Sequence, residues 1–236
     1  MVSVRKSHQV TVQNFEQWLA NLKLPSSKNT ALTELWVKVS PLYPQENTDR
    51  FELLNKSMEM VEILSGLNLD ADSLVAAFIS PLLANQIIEI TYVKEHFSKE
   101  VLMLCHGVEQ MAAIKALRHQ GNEETGQAPQ NIDNIRRMLL AMVDDVRAVV
   151  IKLAERLCDL REKKNSDEET RVLAAKESAN IYAPLANRLG IGQLKWELED
   201  VSFRYLHPQV YKKIAKLLDE TRLERERYMT DFVSDL

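Results

Sequence analysis

Between Val146 and Leu160 the residues Val146, Val149, Val150, Leu153, Ala154, Leu157 and Leu160 recur at spacings of three and four. That period places them on one side of an α-helix, and such a side belongs in a core. The longer stretch from Ile132 to Arg161 reads as the element around which the chain is built. Its remaining face carries Lys152, Glu155, Arg156 and Asp159, and Glu155 and Asp159 lie four apart, so their carboxylates project from neighbouring surface positions. Two adjacent acids raise the question of metal binding or acid-base work. Asp144 or Asp145 suits the N-cap, where a carboxylate accepts from a free backbone N–H and favours the positive end of the helix dipole.

The same helical period recurs elsewhere, while six glycines and seven prolines in 236 residues leave few breaks, and alternating strand patterns are scarce. The expected class is all-α, in one large or two intimate domains. A formal charge of −4, spread over interleaved acids and bases, offers no basic footprint for duplex DNA or an anionic membrane. Cys105 and Cys158 form no C-x-x-C pair, which fits a reducing cytoplasm. The apolar runs fall short of the ~20 residues that cross a bilayer.

Along the chain, residues 1–14 read as an arm and Phe15 to Leu22 as a short amphipathic helix. Ser26 to Thr30 reads as a break, and Ala31 to Val39 as a second helix. Phe51 to Leu67 suits a helix closed by Gly66 and Asn68, with Asp70 or Asp72 capping the next run. That run, SLVAAFISPLLANQIIEI, should be a buried helix, but Pro81 removes an amide and crowds the turn at Ala77, so a kink or interruption is expected. Val93 to Val108 forms another helix with Gly107 near its end, and Gln120 to Gln130 reads as a loop. After a charged turn at Asn165 to Thr170, a helix runs from Arg171 to Asn187, continuing up to or through Pro184. Leu194 to Leu206 and the charged piece from Val210 to Leu236 complete the chain. The five histidines show no H-E-x-x-H spacing, Met58, Met60, Met138 and Met142 suit core filling, and Ser80 lacks the surroundings of a nucleophile.

The segments ILSGLNLDADSLVAAF, FSKEVLMLCHGVEQM, NIRRMLLAMVDDVRAVVIKLAERLCDLR and IYAPLANRLGIGQLKWELEDVSFRYLHPQVY resemble the amino-terminal region of the RelA/SpoT family, over about Asp49 to Leu236. These are bacterial enzymes that make and hydrolyse (p)ppGpp. The resemblance implies an HD-type helical hydrolase domain over residues 1–165, connector helices over 166–206, and the first helix of a synthetase domain over 207–236, the rest being absent.

In hydrolase-competent relatives the family implies a manganese ion held by the histidine of a His-Pro, by a His-Asp pair and by the aspartate of KLADR, with an asparagine four residues beyond that aspartate lining the nucleotide pocket. Here Lys56, followed by Ser57, stands at the first position, and Ser80 and Pro81 stand at the His-Asp pair. Ala84 and Asn85 replace a following acidic pair, Glu155 replaces the aspartate and Asp159 the asparagine. A protonated ammonium cannot ligate a cation, so one or two carboxylates remain for an ion that wants several O or N donors. The Lys56 ammonium is expected to lie near Glu155 or Asp159, in the place of the lost cation.

The resemblance thus implies a catalytically inactive, regulatory hydrolase-like domain of a RelA-type GTP pyrophosphokinase, itself without metal or cofactor. Magnesium with ATP and GTP or GDP is expected in the missing synthetase domain. Its implied partners are that synthetase domain and, through the missing carboxy-terminal half, the ribosome, with (p)ppGpp binding left open. The alternatives are an active manganese-dependent (p)ppGpp 3′-pyrophosphohydrolase and a sensor that binds (p)ppGpp without cutting it.

Overall fold

The computed structural model describes residues 15–42, 48–119 and 145–218, and every regular element among them is helical. The expectations for the arm at 1–14, the loop at 120–130, residues 132–144 of the central stretch and the chain beyond 218 lie outside the described residues. In order the helices are α1 (Phe15–Asn21), α2 (Ser26–Val39), α3 (Thr48–Gly66), α4 (Ala71–Ala84), α5 (Ile90–His96) and α6 (Lys99–His119). They continue with α7 (Val146–Glu162), α8 (Glu168–Glu177), a π-helical turn at Ser178–Tyr182, α9 (Ala183–Arg188) and α10 (Gly192–Leu206). A further helical stretch covers 208–218. No described helix is long and apolar enough to cross a membrane.

The most enclosed element is α4, in which every residue from Ser73 to Leu83 is buried. A helix that is apolar all round has no solvated face to offer, so its neighbours must surround it, and α2, α3, α6 and α7 do. Aromatic rings close one side: Phe15 stacks on Trp36 with centroids 4.2 Å apart, and Phe78 of α4 meets both edge-on. Trp18 adds a tie from α1 to α3 by donating to Glu62 over 2.8 Å. Met58 and Met60 are buried as expected.

Several boundaries differ from the sequence reading. The expected break at Ser26–Thr30 is the start of α2, because Pro25 occupies the N-cap, where its fixed φ and missing N–H cost nothing. Pro81 does not interrupt α4: only one turn of helix remains beyond it, and Asn85 closes that turn through its backbone N–H and side-chain amide, both donating to the Pro81 carbonyl. The expected helix from Val93 to Val108 is two helices. Phe97 is extended, and Ser98 caps α6 by accepting from the Val101 N–H, which leaves Gly107 inside α6. Pro184 is passed by widening the preceding turn to π geometry at Ser178–Tyr182, which absorbs a missing i→i−4 bond.

The caps of α4 and α7 are joined. Asp70 accepts from the Ser73 N–H over 2.8 Å and Asp145 from the Arg147 N–H over 2.9 Å, and the Arg147 guanidinium lies on both carboxylates. Burial tends to raise the Asp70 carboxyl, but hydrogen bonds from Ser73 and then Arg147 hold it below its ordinary value. The Arg147 hydrogen bond does the same to Asp145. A lowered carboxyl contributes stability above its unfolded pKa and loses it as pH falls through the folded value. Asp70→Ala should therefore cost about 1 kcal/mol in urea unfolding at neutral pH. The gap between variant and parent should close below about pH 4.

Candidate functional site

The charged face of α7 is where the structure departs most from a solvated helix surface. Of the seven apolar positions, Val146 is exposed and the others are buried, whereas Glu155 and Arg156, assigned by periodicity to the polar side, are buried too. Helices α3, α8 and α10 and the π-turn close over that side, so nearly the whole circumference of α7 is packed.

Enclosed charges need partners, since an unpaired buried ion costs several kcal/mol. Each of these has one. The Lys56 ammonium of α3 donates to Asp159 Oδ1 of α7, across 103 residues of sequence. Lys152 reaches forward one turn to Glu155 Oε2 at 2.6 Å. Arg156 donates to Glu177 Oε2 at 2.6 Å and to the Ala174 carbonyl at 3.1 Å, with its guanidinium 5.3 Å from the centre of the Tyr182 ring. Arg161 is bonded to Glu59 of α3 and to Glu197 of α10.

The Lys56–Asp159 contact is the one expected of a cation displaced from this pocket into a side chain. Burial alone would lower the Lys56 pKa, but the charge and hydrogen bond of Asp159, aided by Glu162 and Glu155, raise it above its ordinary value. Burial raises the carboxyl of Glu162, and Lys56 partly offsets this. Lys56 is therefore fixed as an ammonium, which has three donors and no lone pair.

The other substituted positions do not converge on this pair as ligands. Ser80 is buried, and its hydroxyl donates to the Ala76 carbonyl of its own helix at 2.7 Å. Pro81 is buried beside it, while Ala84 and Asn85 are exposed at the carboxyl end of α4. Among the described residues no group of three or more His, Cys, Asp or Glu side chains is placed to hold a metal. The donor set thus does not fit a divalent ion: a hydroxyl turned away, a proline, and two carboxylates each bonded to a lysine. Cys105 and Cys158 are buried free thiols, and burial pushes Cys105 up to about 12, so neither is a nucleophile at neutral pH.

The all-helical architecture and the position of these residues on α3, α4 and α7 define a class, the HD domain, and the profile of that family matches residues 36–192. Among curated proteins the chain is 51% identical over its whole length to a GTP pyrophosphokinase of Escherichia coli K12, of which it covers 32%. A GTP pyrophosphokinase of Photobacterium angustum is 50% identical over the whole chain, again covering 32% of that protein. A probable guanosine-3′,5′-bis(diphosphate) 3′-pyrophosphohydrolase of Synechocystis is 37% identical over 70% of the chain and 20% of its own length. The chain belongs to the RelA/SpoT family of HD-domain proteins and spans about a third of the length of the relatives it matches most fully. The match also takes in residues ahead of Asp49, where the resemblance read from the sequence began.

Sequence reasoning named Lys56, Glu155 and Asp159 but missed Arg156 and Arg161 as structural ties. Arg161 had a legible signal in standing beside the two acids, yet its partners lie 102 and 36 residues away. Removing one partner of the enclosed pair leaves a charge without its counterion. Lys56→Ala should therefore lower stability by about 2 kcal/mol. Lys56→Met combined with Asp159→Leu should recover most of that loss. Because the folded pKa of Lys56 is raised, the pair's contribution is complete below the unfolded value and is lost as pH rises through the folded one. Parent and Lys56→Ala unfolding curves should thus stay apart from pH 6 to 9 and converge only in strong alkali.

Proposed function

We propose that this chain is a catalytically inactive, regulatory HD domain of a longer GTP pyrophosphokinase, one that makes (p)ppGpp from ATP and GTP or GDP. The observation that carries this reading is the Lys56 ammonium bonded to Asp159. It puts a tethered monovalent cation where the resemblance implies a metal ligand and a pocket residue. Hydrolysis of this kind relies on an ion that lowers the pKa of bound water, and an ammonium supplies neither an open coordination position nor a hydroxide.

The Escherichia coli and Photobacterium relatives, matched over the whole chain, are called GTP pyrophosphokinases, and the Synechocystis protein called a probable pyrophosphohydrolase matches 70% of it. In this reading the HD domain covers residues 1–165, the connector 166–206, and the chain from 207 onward opens the synthetase domain. Magnesium and nucleotides belong to that domain, the protein works in the cytoplasm, and ribosome-linked signals reach it through the carboxy-terminal half. The part played by residues 15–206 is mechanical. Helices α7 and α10 share a packed, charge-paired interface, so an altered packing on one side biases the other.

The test is turnover. With Mn²⁺ and ppGpp supplied in excess, the chain should release no pyrophosphate above the buffer rate over hours, as read by a coupled phosphate assay. Manganese-dependent release that Glu155→Ala abolishes would establish a hydrolase and remove this proposal.

A further inference from the structure

Arg161 stands near the carboxyl end of α7, and its two terminal nitrogens go to different helices. Nη1 donates to Glu59 Oε1 of α3 and Nη2 to Glu197 Oε2 of α10. The Arg161 side chain is 28% exposed and its partners 31% and 21%, so these bonds are shielded from much of the solvent that weakens surface pairs. Helices α3 and α7 are joined a second time with opposite polarity, since Lys56 lies three residues before Glu59 and Asp159 two residues before Arg161. A sliding of α3 along α7 would disturb both contacts at once.

The hold on α10 is of another kind. Its first half, through Leu194 and Leu198, belongs to the main core. Glu197 stands between these two leucines; beyond them Val201 still touches the main core, and Tyr205 and Leu206 lie on a small separate cluster of Leu160, Ala174 and Ala175. Beyond that cluster, α7 reaches the helix through the Tyr205 hydroxyl, which donates to the Leu160 carbonyl at 3.1 Å, and through Arg161. A large interdigitated core resists sliding, whereas a small apolar contact held by polar bonds can shift by exchanging partners.

We infer that Arg161 is a positioning residue that couples α3 to α10, so that the state of the Glu59 contact on one side sets how firmly Glu197 is held on the other. A planar guanidinium with two separate donor pairs serves two carboxylates in one fixed orientation, and fixing it on either acid reduces the ordering cost of binding the second. The coupling is reciprocal: what α10 gains from an intact Glu59, α3 gains from an intact Glu197. The regulatory meaning of this route rests on the function proposed above, but the coupling is a property of this chain and is measured in it.

Hydrogen exchange by mass spectrometry on the chain provides the test, with Glu59→Gln, Arg161→Gln, Arg161→Lys and the double variant Glu59→Gln/Arg161→Gln. Glu59→Gln, a change on α3, should speed amide exchange over residues 199–206 of α10 by roughly three- to thirtyfold. It should leave the enclosed amides of α4 at the parent rate. In the Arg161→Gln background the same change should add nothing over 199–206, because the link is already gone. Arg161→Lys should fall between parent and Arg161→Gln, since one ammonium holds two carboxylates less firmly than a fork. An effect of Glu59→Gln confined to α3 would overturn the proposal, as would an equal increment with or without Arg161. Uniform acceleration that includes α4 would overturn it too, because it reports global loss of stability. None of these outcomes depends on pyrophosphate release, so the coupling and the inactive-domain reading fail separately.

Discussion

Enclosing a charged helix face forces every ion on it to be neutralised within reach, and that constraint governs α7. Lys152, Glu155, Arg156, Asp159 and Arg161 lie within three turns of a helix packed almost all round, and all five are bonded to a side chain of opposite charge. Desolvation of an ion in such a place costs several kcal/mol, so the pairs are there to cancel a penalty more than to add net stability. What they add is geometry. Four of the five bonds leave the helix, two to α3, one to the end of α8 and one to α10, and together they fix the register of α7 against both sides of the molecule.

The same logic links two sets of substitutions that look unrelated in the sequence. At the positions where the resemblance implies a His-Asp pair, α4 carries Ser80 and Pro81, and the Ser80 hydroxyl donates to the backbone carbonyl of Ala76 in its own helix. Helix α4 then asks nothing polar of its neighbours and can be buried on every side. The acids left on α7 lose any partner α4 would have shared with them, and lysines supply the charge instead, one from α3 and one from the preceding turn of α7. Pro81 removes one amide bond, to the Ala77 carbonyl, and α4 nevertheless continues one turn past it to Ala84.

Local chemistry made much of this legible in advance. The helical period located α1, α3, α7 and α10, the Asp70 and Asp145 side chains marked two helix starts, and a lysine among lost ligands pointed to an acid across the fold. The failures have equally physical causes. Periodicity assigns a charged residue to solvent, and it cannot register that α8 and the π-turn close over Glu155 and Arg156. A proline reads as a breaker, yet Pro81 removes one amide bond without ending a helix that is enclosed by its neighbours. The split at Phe97 had a local signal in Ser98, three residues before the Val101 amide it caps, but the helical spacing of Phe97, Val101, Leu104 and Val108 across it outweighed that signal.

What lies past α10 bears on how far a displacement travels. Pro208 follows the cap residue His207, whose backbone leaves helical geometry at φ −135°, so the stretch 208–218 starts anew and is not a rigid extension of α10. Its anchor is local: Arg204 of α10 lies 5.0 Å from the centre of the Tyr211 ring and donates to the Tyr211 hydroxyl, which in turn donates to Asp200. Those contacts grip the last two turns of α10, which rest on the small cluster and, through Val201, on the edge of the main core. A force applied at 208–218 therefore enters α10 at Arg204 and Asp200, and Asp200 lies within one turn of both Leu198 and Glu197, so the core contact and the Arg161 contact share the load. The amino-terminal end of α10, seated in the core at Leu194, would hold while the end carrying Tyr205 and Leu206 moved, and the Tyr205 and Arg161 bonds to α7 are the polar contacts such a motion strains.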